Sequence, residues 1–294
     1  MRVSKNSLVG RLDSGETLIS DGATGTYLQG KGLEPGACPE EFNISNPDVV
    51  RGMARDYLDA GADMVLTNSF GGNKFMLGKY GYGDRVTEFN RVAAEHASSQ
   101  VNSNQYVIGS IGPTGEFLEP LGDVPESEMY DAFAEQAIGL AQGGADAVVI
   151  ETKTALEEVS LAIKAAKENT DLVVMSTMVF DKGPRGFFTM MGITPDVGLN
   201  GMLAAGADVV GTNCGNGIEL MVELSRLMRD CTDSHLLVHS NAGIPEIKNG
   251  AIVYSETPEF MARGFEEIAA SGVGILGGCC GTSPEHIRAL RDAI

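Results

Sequence analysis

Two adjacent cysteines, Cys279 and Cys280, close an apolar run that reads Gly272-Val-Gly-Ile-Leu-Gly-Gly-Cys-Cys-Gly-Thr-Ser-Pro284. A disulfide between sequence neighbours is strained, because its preferred Cα separation and dihedral are hard to reach across one peptide unit. Two thiolates aimed at one point suit a soft metal ion better. A third cysteine, Cys214, ends a second apolar run, Ala207-Asp-Val-Val-Gly-Thr-Asn-Cys214. Three thiolates around zinc leave one tetrahedral position open, which is the arrangement of a catalytic ion rather than a structural one. Residue types alone therefore make Cys214, Cys279 and Cys280 candidate zinc ligands of an enzyme.

Those side chains can meet only if the fold brings distant strands together. A short apolar strand followed by an amphipathic helical segment recurs along the chain. Strands are expected over 17–21, 64–68, 106–109, 147–151, 173–178, 209–213, 236–240 and 273–277. Helices are expected over 46–61, 84–101, 125–143, 153–168, 195–205, 217–231 and 257–271, with a last one starting at Ser283-Pro284. Three strands follow nearly the same phrase: Ala60-Gly-Ala-Asp63, Gly143-Gly-Ala-Asp146 and Ala205-Gly-Ala-Asp208. Each phrase closes a helix with glycine and drops into a buried strand. Strands apolar on both faces imply a parallel sheet covered by helices. Eight such units make the expected fold an α/β (β/α)8 TIM barrel, with a doubly wound open sheet as the alternative. No Pro- or Ser-rich linker divides the chain, so residues 1–294 read as a single domain. Asp21, Asn68, Glu151, Asn213, Cys214, Asn241, Cys279 and Cys280 all fall at C-terminal strand ends, the face on which barrels of this kind carry their active sites.

Composition narrows the partners. Of 294 residues, 40 are acidic and 21 basic, a formal charge of −19 that repels phosphate backbones and anionic lipid. Neither nucleic acid nor a membrane is expected as a partner. No apolar run approaches the ~20 residues of a membrane-spanning helix, and residues 1–16 lack the apolar stretch of a signal peptide. The expected location is the cytoplasm. Five cysteines, an odd number in a long chain, favour reduced thiols over a disulfide framework.

Together these stretches resemble the homocysteine S-methyltransferase family, which includes the homocysteine domain of cobalamin-dependent methionine synthase, betaine–homocysteine methyltransferases and S-methylmethionine-dependent enzymes. The matching segments are Asp21-Gly-Ala-Thr-Gly-Thr26, Thr67-Asn-Ser-Phe70, Gly109-Ser-Ile-Gly-Pro113, Ile150-Glu-Thr152, Thr212-Asn-Cys214, Asn241-Ala-Gly243 and Gly277-Gly-Cys-Cys-Gly-Thr282. The resemblance implies that Cys214, Cys279 and Cys280 bind zinc and that the thiol of homocysteine takes the open position. It implies that Asn241 fills that position when substrate is absent. It assigns the substrate ammonium to Glu151 with help from Asp21. The carboxylate falls to backbone amides of the 21–26 loop, including Ala23 and Thr24, and Thr67 and Asn68 are further contacts.

The methyl donor is less determined. Betaine or S-methylmethionine presents a cationic methyl group, for which aromatic rings are the usual device. The chain has no Trp, leaving Tyr27, Tyr80, Tyr82 and Phe70 as candidates. The segment Asp181-Lys-Gly-Pro-Arg-Gly-Phe-Phe-Thr-Met-Met-Gly192 resembles family members that work with corrinoid proteins. It reads either as a docking surface for a partner carrying a methyl-corrinoid (cobalamin) or as a loop folded over the barrel mouth. A methyl-corrinoid on another chain is the expected donor. A different class of reading makes the chain a non-catalytic corrinoid-partner subunit with structural zinc, which needs a fourth ligand such as Cys38 or His239. Gly272-Val-Gly-Ile-Leu-Gly277 matches a dinucleotide fingerprint in letters only, because it forms a strand rather than the turn after one. His96, His286 and Cys231 read as packing or surface residues.

Overall fold

A computed structural model describes residues 7–248 and 251–294. The strands among the described residues are, in chain order, β1 (Leu18–Ile19), β2 (Met64–Leu66), β3 (Tyr106–Ile111), β4 (Ala147–Lys153), β5 (Val173–Met178), β6 (Asp181–Gly183), β7 (Gly186–Phe188), β8 (Val209–Asn213), β9 (Leu236–Ser240), β10 (Glu246–Lys248), β11 (Ala251–Val253) and β12 (Ile275–Gly278). Eight of them form one parallel sheet in the order β1-β12-β9-β8-β5-β4-β3-β2. The helices between them cover its outer face, and the fold is the (β/α)8 barrel. The strands at 173–178, 209–213 and 236–240 coincide with expectation. The pairs β6/β7 and β10/β11, hairpins inserted after β5 and β9, were not anticipated.

Carboxylates close the seam between β1 and β2. Asp63 donates its N–H to Ile19 O (2.7 Å) and accepts Ile19 N at Oδ2 (2.8 Å), while Asp21 Oδ2 accepts Leu66 N (2.7 Å). This is why β1 is shorter than the expected 17–21: side chains replace part of its backbone ladder. The same clip explains the recurring phrase. Asp146 exchanges N–H···O and N–H···carboxylate bonds with Val107 (both 2.8 Å), and Asp208 does so with Val174 (2.8 and 2.7 Å). The glycine two residues earlier in each phrase has a φ of 106°, 93° or 106°. That left-handed turn ends the helix and lets the aspartate swing under the neighbouring strand.

Inside the barrel, Leu18, Met64, Leu66, Tyr106, Ile108, Val149, Met175, Val209, Leu237 and Ile275 pack into one apolar cluster. Leu8 and Leu12 join it from the helix Leu8–Asp13, so the N-terminal end of the barrel is plugged. Side chains two residues further along the strands form the next layer toward the mouth. That layer is polar: Ser110, Glu151, Thr177 and His239, joined by Asn213 from two residues beyond Gly211, all buried. The interior is thus sealed below and chemically equipped above.

Replacing Asp208 by Ala leaves Val174 N–H and the Lys167 ammonium, now 2.5 Å from the carboxylate, without their partner. A loss of about 1–3 kcal/mol is expected. It is read as a lower urea midpoint at unchanged slope.

Candidate active site

The three cysteines are delivered by two strand ends and fixed by backbone bonds to a third. Cys214 N donates to His239 O (3.0 Å), Cys279 N to Ser240 O (2.7 Å), and Ala242 N to Cys280 O (2.9 Å). Cys214 is left-handed at a φ of 60°, a conformation rare outside glycine, and it turns the side chain in toward β12. The Sγ atoms of Cys214, Cys279 and Cys280 all lie within 4.8 Å of one another, with Cys214 and Cys280 at 3.7 Å. Zinc–sulfur bonds of about 2.3 Å imply a tetrahedral edge of about 3.8 Å. The trio fits a soft divalent ion.

Charge in the cluster is unevenly shared. Hydrogen bonds from Cys214, Cys279 and the Tyr254 hydroxyl pull the Cys280 thiol down to about 3. Hydrogen bonding to Cys214 and Cys280, together with burial, pushes Cys279 well above its ordinary value. Without a cation, one thiolate forces the others to keep their protons. Asn241 follows β9, its backbone held between the anchors of Cys279 and Cys280, and its Oδ1 is buried with no hydrogen-bond partner. An orphaned buried acceptor on the residue flanked by these two backbone anchors fits a group able to serve as a fourth ligand.

A cavity of about 420 Å³ opens above the polar layer, lined by Ala23, Thr24, Thr67, Asn68, Glu151 and all three cysteines. Glu151 is 6% exposed and accepts from Ser110 Oγ (2.6 Å) and Asn213 Nδ2 (3.2 Å). Burial pushes its carboxyl up to about 7, the Ser110 bond opposes that, and the nearby Cys214 adds to it. A cation entering the cavity would relieve this penalty. Ala23 precedes the helix Thr24–Gly30 without a side-chain cap, so its first-turn amides have no partner within the helix, and Ala23, Thr24, Gly25 and Thr26 all line the cavity. Thr282 laces that turn to the cysteine loop: its Oγ1 accepts Ala23 N (3.1 Å) and donates to Cys279 O (2.7 Å). A Cβ on Gly22 would lie 2.7 Å from that hydroxyl oxygen, so only glycine fits there.

Asp21 lies outside the cavity, its carboxylate being the seam closure at Leu66, and the cavity-lining Thr67 and Asn68 also make hydrogen bonds within the protein. Asn68 turns its Nδ2 to Pro39 O (2.7 Å) and Asn43 Oδ1 (3.0 Å), pinning the loop that forms one cavity wall. Thr67 Oγ1 bonds Ser69 Oγ and accepts Ser110 N. Of the aromatic candidates, Phe70 and Tyr80 line the cavity. Tyr27 is tied to Asp56 (2.6 Å) and Tyr82 packs on Phe89. Phe187 is buried rather than displayed, because the β6/β7 hairpin folds it inward beneath Lys182, while Met190 and Met191 are exposed. Neither Cys38 nor His239 joins the cysteine trio: Cys38 bonds Glu40 (3.4 Å). His286 caps its helix, accepting Ser283 N at 3.1 Å. Sequence reasoning gave no role to Asn213, Ser110, Thr282, Tyr254 or the buried, cavity-lining Glu40. Ser110, Asn213 and Thr282 sit inside the motif stretches, which was their signal; Tyr254 and Glu40 had none.

Residues 18–294 match the homocysteine S-methyltransferase family. The chain belongs to that family of methyltransferases. Among its relatives, the methionine synthases of Mycobacterium tuberculosis and Mycobacterium leprae are each 33% identical, over 96% and 94% of this chain. The chain spans about a quarter of the length of those relatives, 25% and 24%. The metallated form of the homocysteine methyltransferase MmuM from Escherichia coli shares the fold at a TM-score of 0.80 and 19% identity, covering 96% of this chain and 98% of that one. No described helix is long and apolar enough to cross a membrane.

Asp21 offers a pH test. Burial pushes its carboxyl up to about 7, against the bonds from Leu66 and Ser20 and with the Glu151 charge adding to the rise. The native state therefore holds this proton more tightly than the unfolded chain, whose value is about 3.9. That contribution is complete below about pH 4 and lost as pH rises through 7. Asp21→Asn keeps an acceptor for Leu66 and buries no charge. Its urea stability should fall less between pH 4 and 7 than the wild type's, by about 2–4 kcal/mol. Parallel profiles would count against a raised Asp21.

Proposed function

We propose that the protein transfers a methyl group to the thiol of homocysteine, giving methionine, with zinc at Cys214, Cys279 and Cys280 and a methyl-corrinoid on a partner protein as donor. The observation that carries this is the single cavity in which three convergent thiols face a buried carboxylate, Glu151. An amino-acid thiol presents the complementary pair, a soft sulfur and an ammonium. Zinc held there, with Asn241 available as a fourth ligand, supplies a soft Lewis acid that stabilises a thiolate at neutral pH. Glu151 takes the ammonium, and the first-turn amides of Thr24–Gly30 suit the carboxylate. Asn68 and Thr67 hold the wall that limits the substrate's length. In the transfer, a sulfur lone pair forms the new S–CH3 bond as the bond from methyl to donor breaks, its electrons staying with the donor. The thiol proton leaves to solvent.

Support for a corrinoid on another chain comes from the mouth of the barrel. Loops leaving the C-terminal strand ends expose Phe117, Leu121, Met190, Ile244, Ile247 and Ile252, apolar groups suited to a protein surface. A second reading, a small cationic donor such as S-methylmethionine or betaine, is favoured by Phe70, Tyr80 and Glu40 in the same cavity. The subunit with structural zinc finds no support: no described Cys, His, Asp or Glu supplies a fourth ligand.

Cys280→Ala should lose bound zinc, measured by elemental analysis, together with methionine formation; full activity would sink the assignment. Glu151→Ala should raise the KM for homocysteine roughly tenfold to a hundredfold, the worth of a charged hydrogen bond, and an unchanged KM would remove Glu151 from the substrate. The donor is tested anaerobically with zinc-loaded protein, homocysteine and methylcobalamin. Methionine appearing as the cobalt–carbon absorbance falls supports the corrinoid. Methionine from S-methylmethionine or betaine alone establishes the second reading.

A further inference from the structure

Asn213 ends β8, is fully buried, and has no part in the chemistry above. Its carboxamide is nevertheless where the two halves of the site meet. Oδ1 accepts Thr152 N (2.8 Å) and Thr177 Oγ1 (2.7 Å). Nδ2 donates to Thr152 Oγ1 (2.8 Å) and Glu151 Oε2 (3.2 Å), and lies 3.9 Å from Cys279 Sγ. We infer that Asn213 is a positioning residue that aims Glu151 and ties it to Cys279, so that one side chain sets the span between the amino-group site and the thiol site and thereby the selectivity for amino-bearing thiols.

The backbone shows why such a brace is needed. The β4/β5 ladder breaks register between Ile150 and Lys153, and Thr152 is left-handed at a φ of 62°. A β-branched residue is poorly suited to that conformation and persists there only where its surroundings hold it. Two bonds from Asn213, one to the Thr152 amide and one to its hydroxyl, supply the hold. A bulge of this kind re-aims the neighbouring side chain, here Glu151, toward the cysteines. On the other side, Asn213 is covalently next to Cys214, the second left-handed non-glycine residue of the site. Its Nδ2 has two hydrogens and three acceptors within reach, so Glu151 and Cys279 share one donor group. The two unusual backbone positions therefore flank a single amide.

The inference rests on the amino-acid-thiol reading of the cavity, and the test separates the two. Zinc-loaded protein is titrated calorimetrically with homocysteine and with mercaptobutyrate, which is homocysteine without its amino group. The wild type should prefer homocysteine; equal affinity would overturn the reading of Glu151 and this inference with it. Asn213→Asp keeps an oxygen for Thr152 N and Thr177 but loses the donor to Thr152 Oγ1, Glu151 and Cys279. Its preference for homocysteine should fall about tenfold, with mercaptobutyrate binding little changed. In a Glu151→Gln background the same substitution should cost no further preference, which general structural damage would not produce. Asn213→Ala should lose the preference in the same way, and a folded Asn213→Asp keeps the question answerable if the alanine variant does not fold. A wild-type preference retained in Asn213→Asp, or equal losses with and without Glu151, would overturn the positioning role while leaving the homocysteine reading standing.

Discussion

Eight parallel strands that close on themselves leave an interior wide enough only for side chains, so every inward position must belong to a packed layer. Here the lower layers are apolar and the helix Leu8–Asp13 plugs them from below. One layer from the mouth the same alternation brings Ser110, Glu151, Thr177, Asn213 and His239 inward. Polar groups can be tolerated there because Ser110, Glu151, Thr177 and Asn213 are hydrogen-bonded, Ser110 and Asn213 to Glu151 and Thr177 to Asn213, and the layer meets a cavity rather than hydrocarbon. Closure of the barrel is therefore what makes a buried carboxylate and three thiols neighbours.

Carboxylates serve the fold in two opposite ways. Asp63, Asp146 and Asp208 sit at the bottom rim, where backbone amides of the preceding strands use them as clips. Asp21 and Glu151 sit near the top with burial raising both to about 7. Asp21 spends its charge on the β1/β2 seam, whereas Glu151 has an open cavity before it. The two residues share a sheet, a burial and a titration range. Their hydrogen-bond partners and surroundings separate a strut from a carboxylate that lines a cavity.

Strain follows the same division. Among the described residues, the non-glycine ones held left-handed are Thr152 and Cys214, one beside the carboxylate and one in the thiol cluster. Such conformations survive where neighbours over-determine them. Asn213 stands between them with its amide fully engaged. Thr282 does a similar task between the Ala23 turn and the Cys279 loop.

Periodicity, helix caps and the repeated Gly-Ala-Asp phrase were enough to specify eight strands, their order and the barrel, because those signals are local and recur. The cysteine pair and Cys214 were legible as one convergent set because few other arrangements use three thiols at strand ends. The site beyond them was less so. Asp21 and Asn68 occupy strand ends just as Glu151 does, and nothing in the letters says that the first closes a seam and the second pins a loop. Phe187 and Met190 stand close in one apolar stretch, yet a hairpin buries one and exposes the other. Asn213 could be read as part of a motif but not as a brace, since its partners lie on β4, β5 and the loop after β12. Sequence determined which groups reach the C-terminal face, through alternation and element order. Tertiary structure alone decided which of them touch, because hydrogen-bond partners across a closed barrel are set by register and bulges that no local pattern records.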